Sequence, residues 1–251
     1  MKKLFFLALL AACAQNPSEQ PGGDTQKTGA AARAKIHTEL GATYFDRGQY
    51  ASALEELNEA IKNDPGYGPA YNMSGLVYME LKEDSQAEQN FQHALRLDNG
   101  DSEGHNNYGL FLCSRGRAAE GIGHFQTALK NPLYSTPAKA HANAGVCLRK
   151  VDDDKAAEGH FVKTLELEPS NPVALYHLAD INYKRGQIAE ARAYLAQQLQ
   201  VAAASPETLW LAVRIERKLG DRNAESSYAL QLRKKFPASP EAKALVERRY
   251  E

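Results

Sequence analysis

The side chains of this 251-residue chain best suited to ligation or proton transfer are seven histidines, three cysteines and the acidic run Asp152-Asp153-Asp154. None stands in a spacing that such chemistry requires. No Cys-x-x-Cys pair offers zinc a thiolate corner. The aspartate run lacks the twelve-residue loop, with its central glycine and terminal glutamate, that calcium needs, and reads as a solvated turn. No serine sits at a nucleophile elbow, and no glycine-rich loop cradles a phosphate. The expectation is a chain that is not an enzyme and takes no metal, cofactor or small-molecule substrate. Lys plus Arg total 30 against 31 for Asp plus Glu, so the net charge is −1 and no basic footprint for nucleic acid exists. What remains is the chemistry of recognition and crosslinking. Asn72, Asn106, Asn107 and Asn143 each carry an amide able to meet both the C=O and the N–H of an extended peptide.

The elements that position these residues come from a repeat. Small residues recur at Gly41, Gly75, Gly109, Gly145, Ala179 and Val213, and the step is 34 residues except for one step of 36. Twelve positions further on stand Ala53, Ala87, Gly121, Ala157, Ala191 and Glu225, and then Leu57, Phe91, Phe125, Phe161, Leu195 and Ala229. The pattern resembles the tetratricopeptide repeat, whose 34-residue unit is two antiparallel helices. Small residues at the eighth and twentieth places let the helices of a unit approach, and the ring or Leu at the twenty-fourth fills the gap between units. Gly48, Gly116, Gly186 and Gly220 fall at the fifteenth place, where a left-handed cap ends the first helix. The fold class expected is all-α: six units forming a right-handed superhelix over residues 34–238, divided at about 34–67, 68–101, 102–137, 138–171, 172–205 and 206–238. Residues 239–251 are the expected C-terminal capping helix, since an end unit needs a polar outer face.

The register also bears on the histidines. His37, His105 and His141 share the fourth place and His124 and His160 the twenty-third. Equivalent places lie about one unit apart, too far for shared ligation at about 2 Å, so their reading is structural. The asparagines fall at the fifth or sixth place of consecutive first helices, where side chains approach the concave face.

The N-terminus reads as an address. Residues 1–12 carry a basic start and a nine-residue apolar run, enough for a signal peptide and too little to span a bilayer. Leu10-Ala11-Ala12-Cys13 resembles a bacterial lipobox, which implies cleavage before Cys13 and acylation there, and Ala14 at the next position implies sorting to the outer membrane. Residues 13–33 read as the acylated Cys and a flexible tether, reaching roughly 25 Å. With Cys13 lipidated, Cys113 and Cys147 remain. They sit at the twelfth and tenth places of units three and four, on faces that meet across the junction. In an oxidising compartment they are expected to form a disulfide. At the same junction the two extra residues fall within Asn131-Pro132-Leu133-Tyr134-Ser135-Thr136-Pro137. The insertion is either a tolerated loop or a device that presents Leu133 and Tyr134 to a partner.

Several blocks are more specific than the repeat: Asn106-Asn107-Tyr108-Gly109 running on to Phe111-Leu112-Cys113, Asn131-Pro132-Leu133-Tyr134 with Pro137, Leu209-Trp210-Leu211 with Arg214, and Tyr228 through Leu230-Gln231-Leu232. With the lipobox and six units, they resemble the type IV pilus biogenesis and stability lipoproteins PilF and PilW. That resemblance implies a pilotin-like, outer-membrane-anchored periplasmic protein that binds the pilus secretin (PilQ-like) and promotes its localisation and multimerisation, or stabilises assembled pili. The competing expectation is a general envelope adaptor, recruiting peptidoglycan hydrolases or assisting outer-membrane protein assembly.

Overall fold

A missing side chain opposite a ring sets the geometry of the hairpins. In the computed structural model, which describes residues 22–250 with side chains from residue 28 onward, the described residues form thirteen helices and no strand. Six antiparallel pairs follow one another: α1 (Gly22–Asp46) with α2 (Tyr50–Asn63), α3 (Gly68–Glu80) with α4 (Asp84–Leu97), and α5 (Ser102–Ser114) with α6 (Ala118–Leu129). Then come α7 (Pro137–Arg149) with α8 (Asp154–Leu167), α9 (Pro172–Lys184) with α10 (Ile188–Val201), and α11 (Pro206–Leu219) with α12 (Arg222–Lys235). A last short helix, α13 (Pro240–Val246), closes the stack.

Within a pair, the eighth-place glycine receives the twenty-fourth-place side chain. A Cβ added at Gly75 would lie 2.7 Å from the Phe91 ring, at Gly145 2.6 Å from Phe161, and at Gly41 2.8 Å from Leu57. At Gly109 it would meet both the Gly121 carbonyl and Phe125 at 2.9 Å. The rings then reach onward. Phe91 packs on Tyr108 and Phe111 of the next unit, and Phe161 stacks on His177 at 4.8 Å. Each ring therefore closes its own hairpin and seals the junction after it.

Each first helix packs on the next first helix, whereas no second helix comes within 8 Å, Cα to Cα, of the next second helix among the described residues. Close spacing on one side and wide spacing on the other bends the stack, with first helices inside the curve. The starts of helices are set locally. Asp101, Asp153, Asn171, Ser205, Asp221 and Ser239 each accept a backbone N–H two or three residues on, and Pro stands in the first turn of α3, α7, α9, α11 and α13. Gly48, Gly116, Gly186 and Gly220 take positive φ as expected, and Lys82 and Asp152 take it at the same fifteenth place, with φ 61° and 59°.

Two expectations about the ends meet the structure differently. Of residues 239–251, expected as a capping helix, α13 takes up only Pro240–Val246, and its Ala242 is buried with Leu209, Trp210 and Leu232. The tether expected over residues 13–33 is helical from Gly22. The physical reason is its sequence: Gln26, Lys27, Ala30, Ala31, Ala32 and Arg33 are strong helix formers that extend the first helix of unit one backwards. The signal peptide and Cys13 lie outside the described residues.

The ring-on-glycine contact gives a direct test. Gly145→Ala inserts a methyl where the Phe161 ring already lies, an overpacking that costs about 1–3 kcal/mol. The urea midpoint should fall accordingly with far-UV helicity retained; an unchanged midpoint would show that the ring can retreat freely.

Candidate partner-binding face

Asparagine's short amide donates and accepts at once, and four of them run across the first helices. Asn143 donates to the Oδ1 of Asn106 at 3.0 Å, Asn106 to Asn107 at 3.3 Å, and Asn107 to Asn72 at 3.3 Å. The chain of amides thus ties α7 to α5 and α5 to α3. Asn72, Asn106 and Asn107 are buried, with Asn106 fully so, and Asn143 is half-buried. Buried amides must find partners. Here they find one another, so the peptide-reading role expected of Asn72, Asn106 and Asn107 gives way to holding first helices in register.

The disulfide reinforces the same junction. Cys113 on α5 and Cys147 on α7 are joined, with their Cα atoms 5.8 Å apart. Both are buried, Cys147 completely, beside Phe125 and Ala144.

The insertion beside it divides the expected Leu-Tyr pair. Leu133 is 88% exposed, but Tyr134 is buried and its hydroxyl donates to Glu103 at 2.9 Å. Thr136 donates to the same carboxylate at 3.2 Å, and Lys139 forms an ion pair with it. Turning inward buries the Tyr134 ring against Ala128 and Ala140 while Glu103 keeps its hydroxyl paired. Burial alone would raise the Glu103 pKa. The Lys139 ammonium, with the Tyr134 and Thr136 hydroxyls, outweighs it and holds the carboxyl below its ordinary value. Asn131 completes the clamp by donating to Ser102 and accepting the Leu133 N–H. The loop is therefore a fixed ledge with one apolar side chain on offer, Leu133.

The histidines meet in pairs across hairpins, not between equivalent places of successive units. Within unit three the His105 and His124 Nδ1 atoms are 2.8 Å apart, and within unit four those of His141 and His160 are 3.0 Å apart. His37 meets Glu56 at the same pair of places. The signal is legible in the sequence: the fourth and twenty-third places, nineteen residues apart, face each other across the hairpins of units one, three and four. His105 Nε2 also contacts the Asn99 carbonyl, which can only accept, so this nitrogen carries a hydrogen. Two imidazoles sharing one hydrogen bond cannot both be charged. Burial, followed by the charge of its pair mate, lowers the His124 and His141 pKa values, and burial lowers that of His160. His177, stacked on Phe161 with a buried Nδ1 lacking a partner, is brought down to about 4 by burial and then by the Arg149 charge. No group of three or more His, Cys, Asp or Glu side chains is poised to hold a metal among the described residues.

Against known proteins, the pattern of the tetratricopeptide repeat family matches residues 44–108 and 152–214, half of the chain. The type IV pilus assembly protein PilF of Pseudomonas aeruginosa is 28% identical over 205 residues, 82% of this chain and 81% of that one. A solved structure of Pseudomonas aeruginosa PilF superposes with a TM-score of 0.83 at 26% identity, covering 88% of this chain and 99% of that one. The crystal structure of PilW, described as a widely conserved type IV pilus biogenesis factor, superposes with a TM-score of 0.76 at 32% identity, covering 85% and 98%.

Two predictions follow from the geometry of this face. Cys113→Ser opens a crosslink with a sequence separation of 34, worth roughly 3–4 kcal/mol in the chain-entropy account. Under non-reducing conditions its melting temperature should drop to that of the reduced wild type; coincident melts of oxidised wild type and variant would contradict the crosslink. The histidines add a pH dependence. With folded pKa values below the ordinary 6.5 or so, the unfolded chain takes up protons that the folded chain refuses as pH falls through that value. Stability held at neutral pH is then lost progressively towards about 4, where His177 itself protonates. His177→Phe keeps the stack on Phe161 and removes the titration, so its melting temperature should fall less between pH 7 and pH 5. Parallel pH profiles would remove His177 from the account.

Proposed function

The chain belongs to the tetratricopeptide repeat family and is PilF/PilW-like, and from that premise we propose that it serves type IV pilus biogenesis as a lipid-anchored periplasmic adaptor for the pilus secretin. The observation that carries this reading is the match to PilF and PilW from end to end, covering 99% and 98% of those solved chains, not one repeat unit alone. The fold is consistent with it. A continuous inner face of first helices, locked by amides and a disulfide, offers an extended or helical segment a fixed surface.

Anchoring supplies the mechanism. Acyl chains on Cys13 confine the face to the inner leaflet of the outer membrane, where the secretin must assemble. Confining both partners to one leaflet raises their effective concentration without a new contact. No helix among the described residues is long and apolar enough to cross a membrane, so on this reading attachment rests on the lipid.

In cells lacking the gene, a membrane immunoblot without heat denaturation should lose the high-mass secretin multimer from the outer membrane, and a Cys13→Ala complement should not restore it. A normal multimer with unstable surface pili would move the role to the fibre. Normal secretin and normal pili would leave the general envelope adaptor.

A further inference from the structure

At the C-terminal end of the stack, α9, α11 and the segment after α13 enclose an open cleft of about 1040 Å³. Its cations are Lys184 from α9, Arg214, Arg217 and Lys218 from α11, and Arg248 and Arg249 from the tail; no carboxylate lines it. Carboxylates lie just outside, and they are too few. Asp180 is engaged first by Arg149 at 2.6 Å and only then approaches Lys184 at 3.7 Å and Arg214 at 3.8 Å. Asp154 likewise belongs to Arg149, at 2.7 Å, and reaches Lys184 only at 3.9 Å. Glu225 pairs with Arg217 and Glu247 with Arg249. Lys218 and Arg248 have no carboxylate partner among the described residues.

The guanidiniums are also held in place. Arg214 lies over the Tyr183 ring at 4.8 Å and the Trp210 ring at 5.9 Å, its side chain is 18% exposed, and its buried Nε has no acceptor. Arg217 lies 4.0 Å over Tyr250, whose ring stacks on Trp210. Stacking fixes each guanidinium's plane; Arg217 gives one N–H to Glu225, and the N–H groups that remain on Arg214 and Arg217 are there to donate to a carboxylate. Such a site is organised for carboxylates before any arrives.

The form of the anion follows from shape and from the rest of the charge. The whole chain carries −1, so with cations in excess here the remaining surface is net negative and repels an extended polyanion or an anionic bilayer. A concave, aromatic-walled cleft at the end of the first-helix face suits a short strand. We propose that this cleft is a second peptide-binding site, distinct from the secretin reading above and independent of it, that takes an acidic segment of a protein partner with at least two carboxylates along an extended backbone.

The test uses the full chain in mild detergent and a fluorescein-labelled octapeptide, Gly-Asp-Leu-Glu-Gly-Asp-Leu-Glu, followed by anisotropy. The acidic peptide should bind at least tenfold more tightly than its Asn/Gln counterpart, with affinity falling as salt rises. Lys218→Gln, at an exposed position that folding does not need, should weaken binding severalfold, and Arg214→Gln with Lys218→Gln at least tenfold, with helicity and melting unchanged in the single variant. Equal affinity for the amide peptide, no binding at millimolar peptide, or binding indifferent to Lys218→Gln would each overturn the proposal. Vesicles of phosphatidylglycerol or an oligothymidylate that displace the peptide and bind more tightly would replace it with a membrane or nucleic-acid surface.

Discussion

The close approach of two antiparallel helices, made possible by the near-absence of a side chain at one place and filled by a ring at another, is the constraint on which the stack depends. Where the eighth place is glycine, a Phe or Leu sits directly on its Cα. Units five and six depart from glycine, and the change is compensated: Ala179 faces Leu195, and Val213 is matched by Ala229. As one side chain grows, its partner shrinks, which keeps the volume between helices nearly constant. The same ring that closes one hairpin forms part of the wall of the next, so errors in one unit are felt by its neighbour.

Onto this apolar frame the chain adds a polar layer with a different task. Apolar packing is tolerant of small shifts, whereas the amides of Asn143, Asn106, Asn107 and Asn72 bond in only a few relative positions. With Asn106, Asn107 and Asn72 buried where water cannot substitute, a network of this kind selects one register among several of similar packing. The Glu103 clamp does the same for the insertion, turning two extra residues into a fixed ledge.

Much of this is legible in the sequence because a period multiplies weak signals: the small places, the rings and four glycines all agree on one register. The disulfide pairing followed from the faces that the tenth and twelfth places present. Less accessible was the choice between burial and exposure at polar positions. Asn106 looks like a ligand-binding residue until a neighbouring asparagine is found to answer it, and Tyr134 looks exposed until Glu103 supplies an acceptor 31 residues away in sequence. The histidine pairs do not show between equivalent places of successive units, where distances are long, but across a hairpin, where they are short. Lys82 and Asp152 show the converse: the left-handed turn is imposed by the repeat even where glycine is absent.

A stack in which each unit touches only its neighbours opens from its ends, one hairpin after another, and nothing in the geometry of such an array stops the process once started. The crosslink between α5 and α7 changes that. Unravelling that begins at α1 or at α13 reaches a junction that cannot separate, so the two halves fray as independent segments about a common centre. Under a pulling force, the chain would lengthen in two steps and recover each from the same fixed seed.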